Sequence, residues 1–354
     1  MNKRENLELL LKGGSPPWIP FTLDVGGVPG FTDPIQRRFE EETGARDPAE
    51  FFDYDFRTFS LKARFGGEDP RAAHRSLPAS ASVRFDEWGI GHEAEGLEGT
   101  YERMHCPLAH VENIRDVERY PIPIIEESPS FPQIADFHGR GYPVFGYAGS
   151  IYEWSWWLRG MEAFMMDLLD EPALAEAITR RVTDYTKALA CASAAAGIDV
   201  LCFYDDAGSQ QAMQIAPDLW RRFIKPRWAE VLDAVRAISP GTYFFLHSCG
   251  NIAAIVPDVI DLGFHVLHPL QPECLDATRI KREFGSRIAC CATVSAQRIL
   301  PFGKPEEVRA EVRRLKREMG DDRRCILCPS NRIQPETPWE NVVAFAEAAR
   351  QEEE

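Results

Sequence analysis

From about residue 140 onward the chain repeats one pattern, a short apolar run followed by an amphipathic helical stretch, and this alternation most narrows the folds open to it. The apolar runs read YPVFGYA, DVLCFYDDAG, TYFFLHSCG, FHVLHPLQ, RIACCATVS and CILCPSN. Helical stretches stand between them, such as EPALAEAITRRVTDYTKALACASAAAG, closed by Gly197, and KPEEVRAEVRRLKREMG, opened by a proline. Strands spaced by roughly 25 to 40 residues call for right-handed βαβ crossovers and hence a parallel sheet. At least six such units are legible, and N-terminal candidates such as WIPFTLDVGG bring the strand number near eight. That number predicts an α/β protein folded as a closed (β/α)8 TIM barrel. An open doubly wound sheet normally has fewer units, and no glycine-rich dinucleotide fingerprint follows an early strand.

Two regions stand outside the repeat. The first residues, NKRENLELLLKG, read as a short helix that extends the barrel at its N-terminus. Residues 60 to 135 have poor periodicity and predict a cap or insertion, with SASVRFDEWGIGHEAEGLEGTYERMHCPL supplying a hairpin or long excursion. We expect one domain over residues 1–354, with that insertion inside it.

Composition removes several function classes. A formal charge of -15 argues against a nucleic-acid or anionic-membrane partner. The most lipid-like segment, IYEWSWWLRGMEAFMMDLL, is broken by Glu153, Arg159, Glu162 and Asp167, so no membrane span is expected. The start shows no export signal, and nine cysteines then suggest thiols or ligands in a reducing, cytoplasmic setting. An enzyme or a small-ligand binding protein remains.

Barrel chemistry sits at the carboxyl ends of the strands. There the chain places Asp205, Asp206 and Gln210, then His247, Cys249 and Asn251, then His268 and Gln271. Cys290, Cys291 and Ser295 follow on the next strand, and Cys325, Cys328 and Asn331 on the last. Residues two apart in a strand share a face, so Tyr243, Phe245, His247 and Cys249 form one row. Directed inward, His247 and Cys249 are two zinc ligands in want of a third. Cys328 is the first candidate and Cys291 the alternative, whereas a packed histidine beside an inert thiol is the bland reading. Asp205 and Asp206 point to opposite sides, one as a general acid or substrate-binding carboxylate, the other as a helix cap or arginine partner. Gln210, His268, Gln271 and Asn331 are candidate substrate contacts. Trp154, with Tyr152, Trp156 and Trp157, either floors a ligand pocket or cements a helix to the cap. The basic residues Arg221, Arg222, Lys225 and Arg227 suit a solvated helix face.

The segments DVLCFYDDAGSQQAMQIAPDLWRRFIKPR, FLHSCGNIAAIVPDVIDLGFHVLHPLQPE, KREFGSRIACCATVSAQRILPFGKPEEVRAEV and CPSNRIQPETPWENV resemble the uroporphyrinogen decarboxylase superfamily. The likeness runs over about residues 140 to 345, and it too implies a (β/α)8 barrel with its cleft at the strand carboxyl ends. The superfamily contains metal-free decarboxylases and zinc methyltransferases that exchange methyl groups between a corrinoid protein and a thiol or other acceptor. True decarboxylases carry an arginine-glutamine-alanine-glycine-arginine-tyrosine run and a nearby catalytic aspartate; this chain has FTLDVGGVPGF there, with Asp24 an analogue by location only. The arginines that would hold several substrate carboxylates are absent from that stretch. The methyltransferase branch uses a histidine-x-cysteine pair, which carries over to His247 and Cys249, plus a late cysteine that falls near Asn331, where this sequence departs. The resemblance thus implies a corrinoid-linked methyltransferase, with zinc and a corrinoid-carrying partner protein. The alternatives are a metal-free decarboxylase using Asp24, Asp205 or Asp206, and a non-catalytic ligand binder.

Overall fold

The computed structural model describes residues 1–74, 77, 82–95, 101–126, 128, 130–319 and 322–351. Its strands in chain order are β1 (Arg57–Thr58), β2 (Ala63–Arg64), β3 (Arg84–Phe85), β4 (Gly91–Glu95), β5 (Tyr101–His105) and β6 (Ile124–Ile125). They continue with β7 (Val144–Gly149), β8 (Val200–Tyr204), β9 (Tyr243–His247), β10 (Val266–His268), β11 (Ala289–Val294) and β12 (Cys325–Pro329). Strands β1-β7-β8-β9-β10-β11-β12 form one sheet, every pair parallel, because a helical crossover separates each strand from the next.

Residues 20–22 take the eighth strand position and join the two edges. The Leu327 amide donates to the Pro20 carbonyl at 2.8 Å and the Thr22 amide to the Leu327 carbonyl at 3.0 Å. On the other side the Asp55 amide donates to the Phe21 carbonyl at 3.0 Å, and the Asp55 carboxylate accepts the Phe21 amide at 2.9 Å. The predicted (β/α)8 barrel is the fold.

Strand alternation divides the apolar residues into two layers. Phe56, Phe145, Val200, Cys202, Phe245, Val266, Ala289, Cys291, Ile326 and Cys328 fill the barrel interior. Leu201, Phe203, Phe244, Leu246, Leu267, Cys290, Ala292, Cys325 and Leu327 pack outward against the helices. The N-terminal helix Lys3–Leu11 sends Leu7 and Leu10 into the inner cluster. Arg4 pairs at 2.7 Å with Asp199, just before β8, so this helix closes the amino end of the barrel and leaves the carboxyl end for chemistry.

The region 60–135 contributes the antiparallel sheet β3-β4-β5 and the antiparallel pair β2-β6. The predicted excursion is therefore a hairpin at β4–β5; its connection, 96–100, lies outside the described residues, as does Gly320 at the end of the predicted KPEEVRAEVRRLKREMG helix. The insertion packs on the barrel helices through Trp88, whose ring meets Trp154 at 5.8 Å and Tyr185 at 5.2 Å. After β7 the chain forms two helices, Tyr152–Arg159 and Met161–Asp170, broken at Gly160 with φ 94°. No helix among the described residues is long and apolar enough to cross a membrane.

Candidate metal centre

Strands β8 and β9 lie side by side with Tyr204 opposite His247, and β10 places His268 opposite His247 from the other flank. The inner row of β8 is Cys202 and Tyr204, and its next member is Asp206. The inner row of β9 is Tyr243, Phe245 and His247, and continues to Cys249. The two strand tips are then locked together through glycine. A Cβ on Gly208 would lie 2.6 Å from the Cys249 carbonyl oxygen and 2.7 Å from the Asn251 nitrogen, both backbone atoms that cannot yield. Gly250, at φ +83°, would place a Cβ 2.4 Å from the Gly208 carbonyl carbon. Ser248 completes the lock, donating to the Asp205 carbonyl at 2.8 Å and accepting from the Ala207 amide at 3.1 Å.

This junction brings Asp206, His247 and Cys249 together, with one ligand atom from each all within 4.8 Å of the others. His247 Nε2 is 3.2 Å from Cys249 Sγ and 3.5 Å from an Asp206 carboxylate oxygen, which also accepts the Cys249 amide at 2.7 Å. Burial governs the charges. It holds His247 down to about 3, so the imidazole is neutral. It pushes Asp206 upward, and it pushes the Cys249 thiol well up with help from the Asp206 and Glu153 charges. A neutral imidazole beside a half-buried thiol and carboxyl, whose anions a cation would stabilise, is made of donor types that zinc takes. The residues fit the metal.

The side chains that cluster are not the three expected as ligands. Among the described residues Asp206, not Cys328 or Cys291, completes the cluster. Cys328 faces the barrel interior, where its thiol contacts Cys291 and His268. Contacts run in file from Cys291 to Cys328, His268, His247 and Cys249, so the histidine pair separates the buried thiols from the rim. Burial raises the Cys328 thiol, but Cys291 and His268 outweigh it and bring the group down to about 6.

The other predicted residues lie in several different settings. Asn331 and Gln271 are at the site. The Asn331 amide donates to Cys249 Sγ at 3.5 Å, and Gln271 accepts the Gly250 amide at 2.9 Å. His268 is wholly buried, bonded to His247 at 2.8 Å and stacked on Phe245 at 5.4 Å, behind the site rather than on its open face. Asp205 points outward into the scaffold. One oxygen accepts Ser150 Oγ at 2.8 Å and the Ile151 and Glu153 amides at 3.1 and 3.0 Å; the other accepts Trp228 Nε1 at 3.0 Å. Asp205 thus caps the helix after β7, with no oxygen left facing a substrate. Trp154 is core, against Trp88, Tyr147 and Tyr185. Gln210 is exposed and accepts the Cys274 thiol at 3.0 Å. Asp24 is buried in the loop after residues 20–22, accepts the Gly30 amide at 3.0 Å, and is raised by burial to about 7.

Two residues escaped the sequence reading. Glu153 is pushed well up by burial and by the Asp206 and Asp205 charges, and accepts the Asp206 amide. Its signal was an acid in the first helical turn after a barrel strand. The Tyr204 ring lies tilted against His247 with centroids 5.1 Å apart, and its hydroxyl accepts the Gly27 amide at 2.8 Å and donates to the Val25 carbonyl, tying the 24–30 loop to the site. Its signal was parity with Asp206. A cavity of about 870 Å³ lined by Arg115, Arg119, Arg159 and Glu171 borders the insertion and shares no lining residue with the cluster.

Fold and site together define a (β/α)8-barrel protein that presents an imidazole, a thiol and a carboxylate at one carboxyl rim. The uroporphyrinogen decarboxylase (URO-D) family model matches residues 92–352, and the chain belongs to that family. Over 195 residues it is 30% identical to methylcobamide:CoM methyltransferase MtaA of Methanosarcina barkeri, covering 55% of this chain and 54% of that protein. A protein of the same name from Methanosarcina barkeri (strain Fusaro / DSM 804) is 31% identical over 165 residues, 47% of this chain and 45% of its own. The match spans about half the length of these curated relatives. A methyltransferase from Methanosarcina mazei shares the fold with a TM-score of 0.68 at 21% identity, over 99% of this chain and 98% of that one.

Proposed function

We propose that the protein is a methyltransferase that moves a methyl group between a corrinoid carried by a separate protein and a small thiol bound at the carboxyl rim. The convergence of Asp206, His247 and Cys249 within 4.8 Å carries the reading, and the half-length similarity to methylcobamide:CoM methyltransferases supports the choice of reaction. Asp206, His247 and Cys249 would hold zinc, which when bound supplies the Lewis acidity that lowers the pKa of an acceptor thiol. The chain's residues prepare that site. Burial keeps His247 neutral and able to offer a lone pair, and the Tyr204 ring against it restrains its orientation. Gln271 and the Gly208–Gly250 contact fix the backbone that presents Cys249. Asn331 and Gln210 are exposed, so an acceptor and a docked corrinoid reach the rim from solvent. The acceptor sulfur sheds its proton to solvent and attacks the methyl carbon; as the C–S bond forms, the Co–C bond breaks and its electron pair stays on cobalt.

Zinc-loaded protein mixed with methylcobalamin and 2-mercaptoethanesulfonate is the direct test. Demethylated cobalamin and methylated thiol are expected to appear in equal amounts, and Cys249→Ala to abolish both. No transfer to this thiol or to a panel of small thiols, from free or protein-bound methylcobamide, would overturn the proposal.

A further inference from the structure

The cluster's imidazole needs the correct tautomer, and the chain behind it determines which one forms. The Pro329 carbonyl can only accept, and it lies 3.1 Å from His268 Nε2, so that nitrogen carries a proton. In a neutral ring the other nitrogen is then bare. His268 Nδ1 is 2.8 Å from Nδ1 of His247, so His247 must donate there and its Nδ1 carries the proton. Its Nε2 is left with a lone pair, directed at Cys249 Sγ at 3.2 Å and the Asp206 carboxylate at 3.5 Å. We infer that His268, held by the Pro329 carbonyl, is a positioning residue that selects the Nδ1–H tautomer of His247 and aims its Nε2 lone pair into the cluster.

His268 sits in an enclosed, apolar setting. The residue has 0% exposure, its ring stacks on Phe245, and among the described residues no carboxylate forms an ion pair with it. The Cys328 thiol also touches the ring. A proton taken from it would make both His268 nitrogens donors, reverse the bond to His247, and put a hydrogen where the lone pair belongs. The two states are therefore distinguishable. The relay's catalytic consequence rests on the methyltransferase reading; the tautomer itself does not.

Full-length protein labelled with ¹⁵N-histidine, free of metal, gives the first readout, with His247→Gln and His268→Asn spectra assigning the signals. The expected pattern is a proton on Nδ1 of His247 and on Nε2 of His268. A proton on Nε2 of His247, or protons on both nitrogens of His268, overturns the inference. The second readout is zinc retention against a fluorescent chelator. His268→Leu removes the acceptor and is expected to lose about 10- to 100-fold in zinc affinity, while His268→Asn, whose amide oxygen replaces Nδ1, stays close to wild type. A folded Leu variant that retains zinc like wild type also overturns it; if that variant does not fold, the wild-type spectrum decides. The expected tautomers in a protein that transfers no methyl group would sink the reaction and leave the relay standing.

Discussion

Replacing Asp205 with alanine tests whether the first aspartate of the pair belongs to the scaffold. Its carboxylate is 3% exposed and accepts four donors, two of them the Ile151 and Glu153 amides at the start of a helix. Losing a helix cap costs about 1–2 kcal/mol. Leaving the buried Trp228 indole N–H unpaired adds about 1–3 kcal/mol. An opposing effect must be subtracted, because burial, only partly offset by these donors, raises Asp205 to about 6 and makes its charge costly at neutral pH. We therefore expect Asp205→Ala to be destabilised at pH 7, by less than the simple sum of about 2–5 kcal/mol. Asp205→Asn retains an oxygen for the three donors from residues 150–153 but turns its NH2 toward Trp228, and should fall between alanine and wild type. Urea unfolding followed by tryptophan fluorescence and circular dichroism measures the order. An alanine variant with the wild-type midpoint would refute the scaffold role. So would an asparagine variant that folds like wild type yet transfers no methyl group, since that would return Asp205 to catalysis.

Gly208→Ala should preserve the fold, yet displace the backbone carrying Cys249 at a cost of about 1–3 kcal/mol and weaken zinc retention; a crystal structure with the 248–251 segment unmoved would contradict it. Zinc affinity should rise with pH, because burial raises both Asp206 and Cys249 and binding must expel their protons. Calorimetry in buffers of differing ionisation enthalpy should show proton release, and its absence at neutral pH would count against these ligands. Asp24 has a folded-state value near 7, above its unfolded range near 4, so the folded state binds the proton more tightly. Wild-type stability should then decline as pH rises from about 4 to about 7, and Asp24→Asn should flatten that decline in urea midpoints measured across the range.

Much of the barrel was legible because its signals are local. Apolar runs, helix caps and crossover spacing each depend on neighbours in sequence, and the (β/α)8 architecture follows from their number. The inward row of Tyr243, Phe245, His247 and Cys249 was equally readable, since alternation in a strand needs no partner. The same parity, carried from Cys202 through Tyr204, directs Asp206 inward and Asp205 outward. The cysteine pairs behave likewise, with Cys291 and Cys328 inside and Cys290 and Cys325 outside.

The sequence by itself determined the strand-and-helix order, the barrel and the face each strand residue presents. Tertiary structure alone decided height along the barrel axis, because the stagger between neighbouring strands comes from their pairing register. Thus Cys328 faces inward yet meets His268 and Cys291, while Asp206 arrives at the level of Cys249. It also decided partners across long separations. Asp205 caps a helix more than fifty residues earlier, and Glu153 meets Asp206 across that same gap. Period-two alternation specifies direction, whereas level and neighbour exist only once the sheet has closed.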